Sequence, residues 1–297
     1  YNGAGTVGST EACLLAGLAL KFRWRNWYAK RHGLTAEQVL GVQPNMIIST
    51  CFQACWEKLF RFFDVTPHFI LPSVKTYTID PSEIAALCDD KTMGVVGILG
   101  NHYSGAYDPI WDIDKAVAKI NSDNGFQIGI HVDAASGGFI APFQDGLPPF
   151  DYRLPNVLTI SASGHKFGES SIGTGWITFR HKTDLAEHVS TTVSYLGGKC
   201  SSMTLNFSRP ATGPYVQIYK LLRLGEEGYR SKVSNQMVVA KIIRDALREM
   251  KHPDGTPRFE ILDGGDTHCL PVVGARLNPK VHRAYDDIDL QHALAER

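Results

Sequence analysis

The 297-residue sequence has no excess charge of either sign, with Lys+Arg and Asp+Glu at 30 each. That balance gives no global field for nucleic acid or an anionic membrane, so neither is expected as a partner. No apolar run is long enough to span a bilayer. The first residues, Tyr1-Asn2-Gly3-Ala4, carry neither a basic region nor an apolar core, so no signal peptide is expected. Cysteine is sparse: the six residues Cys13, Cys51, Cys55, Cys88, Cys200 and Cys269 lack paired zinc spacing, and Cys51 and Cys55 have no second pair nearby. No metal site is expected, and the thiols read as reduced cysteines of a cytoplasmic protein. An initiator methionine is also lacking, which reads as a fragment or processed product. Internal repeats and low-complexity tracts are absent too. What remains is an ordinary globular composition, long enough for one large domain or one domain with a smaller appendage.

Apolar, β-branched runs alternate with helical patterns. Asn45–Thr50, Val65–Ile70, Met93–Leu99, Ile128–Val132, Val157–Ile160 and Gly175–Phe179 read as strands. Gln53–Phe63, a segment capped by Asp80, and Asp112–Ile120 read as helices, and residues 33–44 as a polar linker. Residues 214–251 form a long amphipathic helix interrupted near Gly225 and Gly228, and the segment from His252, with a strand near 272–277, begins a smaller domain. The alternation predicts an α/β fold with a mostly parallel sheet covered on both faces, and ligands at the carboxyl ends of its strands.

The stretch Ser161-Ala162-Ser163-Gly164-His165-Lys166-Phe167-Gly168 ends an apolar strand on a lysine beside a histidine. Lys166 there is either an ordinary surface cation or a group awaiting an anionic or electrophilic partner. Gly3-Ala4-Gly5-Thr6-Val7-Gly8-Ser9-Thr10-Glu11 runs into an apolar helix. It suits either a phosphate at free backbone N–H groups or a plain helix capped by Ser9 or Thr10. Two further strand ends carry polar groups, Gly100-Asn101-His102-Tyr103-Ser104 and Asp133-Ala134-Ala135-Ser136. A carboxylate ending an apolar strand needs a partner, whereas His131 within the strand reads as a satisfied core histidine. An acid and a lysine brought to one crevice suit a pyridoxal phosphate site: lysine forms the Schiff base, aspartate keeps the pyridine nitrogen protonated, and a helix N-terminus holds the phosphate.

Those residues belong to a wider set. Thr6–Ala12, Gln53-Ala54-Cys55-Trp56, His131–Phe139, Asp151–Pro155, Ser161–Gly168, Tyr195-Leu196-Gly197-Gly198, Asn206–Pro210 and Arg223-Leu224-Gly225 run in one order across nearly the whole chain. In this order the sequence resembles the group II pyridoxal-phosphate-dependent amino-acid decarboxylases, and within them the glutamate decarboxylases. The resemblance implies the type I pyridoxal phosphate fold, aspartate aminotransferase-like, with a large domain over 1–251 and a partial α+β small domain over 252–297. It implies pyridoxal 5'-phosphate as cofactor, Lys166 as its Schiff-base lysine, Asp133 on the pyridine nitrogen, Gln53 over the ring and Ala135 beneath it. Gly8, Ser9, Thr10, Ser163 and His165 would line the phosphate, with Ser208 reaching in from a neighbouring subunit of a homodimer or higher homo-oligomer. The implied reaction is decarboxylation of an L-amino acid, with glutamate giving 4-aminobutanoate and CO2.

Family members are longer at both ends, and the segments beyond this sequence supply the residues they use for the substrate carboxylates. His102 stands where relatives usually have threonine, and an imidazole there is either a tolerated exchange or a group that protonates, binds a carboxylate or alters the bond broken. Glu169 replaces an apolar residue and Glu57 a histidine of some relatives. A pyridoxal phosphate enzyme with another amino-acid substrate, and a non-catalytic binding subunit, are the alternatives.

Overall fold

The computed structural model describes residues 2–73, 76–184, 191–193, 200–265 and 268–296. Tyr195-Leu196-Gly197-Gly198 lies outside the described residues. The glycine-rich opening is strand β1 (Asn2–Val7), which passes directly into helix α1 (Gly8–His32). Val7 occupies the N-cap position, so Ser9 and Thr10 sit inside the first turn and do not cap it. Helix α2 (Ala36–Leu40) occupies the expected linker: Gln38 N–H donates to the Thr35 hydroxyl while the Gln38 amide oxygen accepts from Thr35 N–H. This reciprocal pair satisfies two donors that a helix start otherwise leaves open.

The alternation then holds as expected. Strand β2 (Asn45–Ser49), helix α3 (Ala54–Phe62) and strand β3 (Thr66–Ile70) are followed by short helix α4 (Ile84–Leu87). Asp80 accepts from Ser82 N–H just ahead of α4. Strand β4 (Thr92–Ile98), helix α5 (Ile110–Asn124) and strands β5 (Gly129–Ala134), β6 (Val157–Ser163) and β7 (Thr174–Phe179) come next. Beyond them lie β8 (Thr191–Val193), β9 (Cys200–Ser202), helix α6 (Thr212–Glu249), β10 (Phe259–Ile261), β11 (Ala275–Leu277) and α7 (Asp287–Ala295).

Seven strands form one sheet in the order β1-β7-β6-β5-β4-β2-β3. β3, β2, β4, β5 and β6 are parallel, while β7 runs antiparallel to β6 and β1 antiparallel to β7. Side chains alternate across the pleat: Ile47, Val95, Ile130 and Val132 enter one core with α5, and Met46, Ile48 and Val96 enter the other with α1 and α3. Because both faces are buried, the parallel strands are apolar runs without polar alternation, which is why they were readable in the sequence.

Helix α6 bends at Gly225, whose φ of 61° and ψ of −170° break the helical path. Beyond it, Arg244 donates from Nε to both oxygens of Asp263 at 2.8 and 2.9 Å, and from Nη2 to Val272 O at 3.2 Å. Both ionic side chains are 1% exposed. The same C-terminal stretch bonds to the loop after β4, through Gly264 N–H to Ser104 O and Leu270 N–H to Gly105 O. Among the described residues, no helix is long and apolar enough to cross a membrane.

Candidate active site

The sheet delivers one cleft at the carboxyl ends of adjacent parallel strands, where α/β sheets bind ligands. Cys51 and Gln53 enter it after β2, and Ile98, Gly100, Asn101 and His102 at and after β4. Asp133, Ala135 and Ser136 come from the end of β5, and Lys166 from the turn after β6. The cleft opens to solvent, and the space it encloses is small, about 10 Å³.

Asp133 alternates to the α1/α3 face of its strand and is 4% exposed. Trp56 Nε1 donates to its Oδ2 at 2.8 Å and Ala135 N–H to its Oδ1 at 3.1 Å. The carboxylate is thereby fixed while retaining lone pairs toward the cleft. Lys166 lies at the exposed side and donates from Nζ to Ser136 Oγ at 3.3 Å. Its turn is held from below by α6: Gln217 Nε2 donates to Gly168 O at 3.0 Å and Lys232 Nζ to Phe167 O at 2.8 Å. Glu169, in the left-handed region at φ 58°, pairs with Lys220 and Lys232 from the two arms of the bent helix. These pairs tie the lysine turn to α6. Glu57 makes a surface pair with Arg61 at 2.6 Å, one turn along α3.

Gln53 occupies the N-cap position of α3, and its amide Nε2 meets His102 Nδ1 across the cleft mouth. The His102 ring also packs on Tyr103, with centroids 3.9 Å apart. Partial burial, then the Lys166 ammonium, hold the His102 imidazole below its ordinary value. A neutral ring is the form that accepts from an amide N–H.

Gly8, Ser9, Thr10, Ser163 and His165 do not line this cleft; they gather beside it at the start of β7. Gly8 N–H donates to Gly173 O at 2.7 Å, Gly164 N–H to Thr174 O at 3.0 Å, and His165 Nδ1 bonds to Thr174 O at 2.8 Å. Ser163 Oγ is buried with no hydrogen-bond partner among the described residues. Ser208 is exposed, on a segment joined to α1 through Asn206 N–H and the Glu11 carboxylate at 3.0 Å.

His131 is fully buried and satisfied at both nitrogens, by Thr159 Oγ1 at 2.8 Å and Ser161 Oγ at 3.1 Å, in keeping with its reading as a core histidine. Burial pushes its pKa down to about 4, against the opposing pull of Asp133. The folded value lies below the ordinary 6.5, so the neutral ring stabilises the fold above pH 6.5, and that contribution is lost as pH falls through 4. The stability advantage over His131→Gln is expected to shrink by on the order of 3 kcal/mol between those limits, read from denaturant midpoints at stepped pH.

Several features of the site escaped sequence reasoning. Trp56 stood within a quoted motif but was given no role of its own. Ser136 and Asn101 stood inside the quoted polar strand ends but were given no role of their own. Cys13 and Cys55 are 42 positions apart, yet their sulfurs and the Asp133 carboxylate lie within 4.8 Å of one another.

A parallel sheet with a lysine and a buried aspartate at neighbouring strand ends is an architecture of pyridoxal-phosphate-dependent enzymes. Residues 2–273 match the pyridoxal-dependent decarboxylase conserved domain, and the chain belongs to that family. It is 40% identical over 294 residues to a probable glutamate decarboxylase gamma of Listeria innocua, covering 99% of this chain and 59% of that protein. It is 38% identical over 292 residues to a glutamate decarboxylase of Petunia hybrida, covering 98% and 55%. A solved glutamate decarboxylase of Lactobacillus brevis superposes with a TM-score of 0.90 at 37% identity, over 99% of this chain and 64% of that one. The chain thus spans about three fifths of the length of these relatives.

Proposed function

We propose that this chain is the cofactor-binding part of a pyridoxal 5'-phosphate-dependent carboxy-lyase that converts L-glutamate to 4-aminobutanoate and CO2. The meeting of Lys166 and Asp133 in one strand-end cleft carries this reading, and the family membership supports it. The donor set fits the cofactor: an amine for its aldehyde carbon, a buried and oriented carboxylate for its ring nitrogen, and a helix N-terminus with the unpartnered Ser163 hydroxyl for its phosphate.

In this reading Lys166 is the covalent anchor, and its Nζ, steered by Ser136, delivers a proton to the carbon that the carboxylate leaves. Asp133 holds a proton on the ring nitrogen. Gln53 and Ala135 sandwich the ring and keep water from its faces. Gly8, Ser9, Thr10, Ser163 and His165 bind the phosphate, and Ser208 of a second copy completes that site. When bound, the cofactor supplies an electron sink for the pair left by the departing carboxylate. A homodimer accords with the exposed apolar face of the first arm of α6, where Tyr215 and Leu222 are 70% and 82% exposed. Residues 252–297, with their own strand pair and α7, are the start of a smaller α+β domain. The free thiols of Cys13, Cys51, Cys55, Cys88 and Cys269 accord with the reducing cytoplasm.

Protein loaded with pyridoxal phosphate and given L-glutamate should release 4-aminobutanoate and CO2 in equal amounts. Cofactor uptake without either product would contradict the substrate assignment. The Gln53–His102 contact favours a second reading, in which the imidazole alters substrate choice. A changed amino-acid profile in His102→Thr would support it, and an identical profile would remove it.

A further inference from the structure

The floor of the cleft holds a group of ligating atoms that the proposed chemistry does not use in full. Cys13 comes from α1 and Cys55 from the first turn of α3, and both face Asp133 on β5. The two sulfurs and the carboxylate oxygen lie within 4.8 Å of one another, with exposures of 0, 7 and 4%. A zinc–thiolate bond is about 2.3 Å, so ligands of a tetrahedral ion stand about 3.8 Å apart. Small rotations about the Cys χ1 angles would close the difference.

We propose that Cys13, Cys55 and Asp133 form a site for a thiophilic divalent cation such as zinc or cadmium, open only while the cofactor is absent. Two sulfurs with one carboxylate select a borderline-to-soft ion over magnesium or calcium. An outer layer is in place: Trp56 Nε1 and Ala135 N–H orient the carboxylate, and Ser161 Oγ lies 3.6 Å from Cys13 Sγ. Cys13 is closed off from solvent on its own side, whereas Asp133 lines the cleft, so the cleft is the way in. Binding releases the two thiol protons to solvent, leaves two thiolates and one carboxylate on the ion, and turns the fourth position toward the cleft for water. An ion there also occupies the Asp133 carboxylate that would otherwise hold the proton of the ring nitrogen. Cation and cofactor therefore compete for Asp133; that exclusion rests on the cofactor reading above, whereas the group of ligating atoms does not.

The test uses the full chain freed of cofactor and titrated with cadmium, whose bonds to thiolate absorb in the ultraviolet. One cadmium per chain should raise this absorbance and release about two protons. Cys13→Ser and Cys55→Ser should each weaken binding at least about tenfold, while Cys51→Ser, altering a thiol that lines the cleft outside the group, should leave it unchanged. Cys13→Ala and Cys55→Ala, checked for fold by circular dichroism, repeat the comparison if serine proves disruptive. Pyridoxal phosphate added first should prevent the absorbance. Absorbance that survives loss of both Cys13 and Cys55, no absorbance at all, or equal binding by protein shown to carry the cofactor overturns the proposal. Lys166→Ala should bind cadmium as the parent does, so failure of the cofactor reading appears as missing cofactor uptake with the metal result intact.

Discussion

Exchanging Lys166 for alanine should abolish the covalent attachment of pyridoxal phosphate and lower kcat by on the order of 10³-fold or more, since it removes both the anchor and a positioned proton carrier. Folding stability should barely change. Lys166 is exposed and its Nζ makes one long hydrogen bond, to Ser136, and surface changes of this kind stay within about 0.5 kcal/mol. The turn itself keeps its support from Gln217, Lys232 and the Glu169 pairs. Denaturant midpoints measured beside kcat would separate the two effects. A variant that lost activity only in proportion to lost stability would argue that Lys166 is structural.

Arg244→Met should have the opposite profile. It leaves the Asp263 carboxylate, 1% exposed, without its bidentate cation, and breaking a buried pair from one side costs about 3–5 kcal/mol. The remaining donors to Asp263, Gly265 N–H at 3.0 Å and Gly274 N–H at 3.3 Å, are neutral and satisfy only part of its charge. The damage should spread to the loop after β4, because Gly264 and Leu270 bond to Ser104 and Gly105 there. That loop carries His102, so cofactor affinity should weaken as well. Adding Asp263→Asn should recover part of the loss, since the second change removes the stranded charge. A single variant as stable as the parent in urea would show that α6 does not depend on this pair.

The central strands were legible because they are buried on both faces, which writes them as apolar runs, and because Asp133 and Lys166 break those runs at their ends. β1 was not legible: its glycines mimic a turn, and its pairing with β7 joins residues more than 160 positions apart. Of the two alternatives for the start of α1, the N-cap position of Val7 excludes capping by Ser9 or Thr10. Helix α2 could have been found, since Thr35-Ala36-Glu37-Gln38 carries the spacing of a capping box. The Cys13–Cys55 approach could not, because spacing rules for ligands apply within one element and these two sit on different helices. Trp56 shows the same limit in a milder form: its helix was legible, and only tertiary structure aims its N–H at Asp133.

The measurement that bears most directly on the whole account is borohydride reduction of the protein in the presence of pyridoxal phosphate, followed by peptide mass analysis. The account predicts one phosphopyridoxyl group per chain, on the peptide containing Lys166, and its disappearance in Lys166→Ala. A label distributed over other lysines, or none at all under conditions that leave the fold intact, would contradict it.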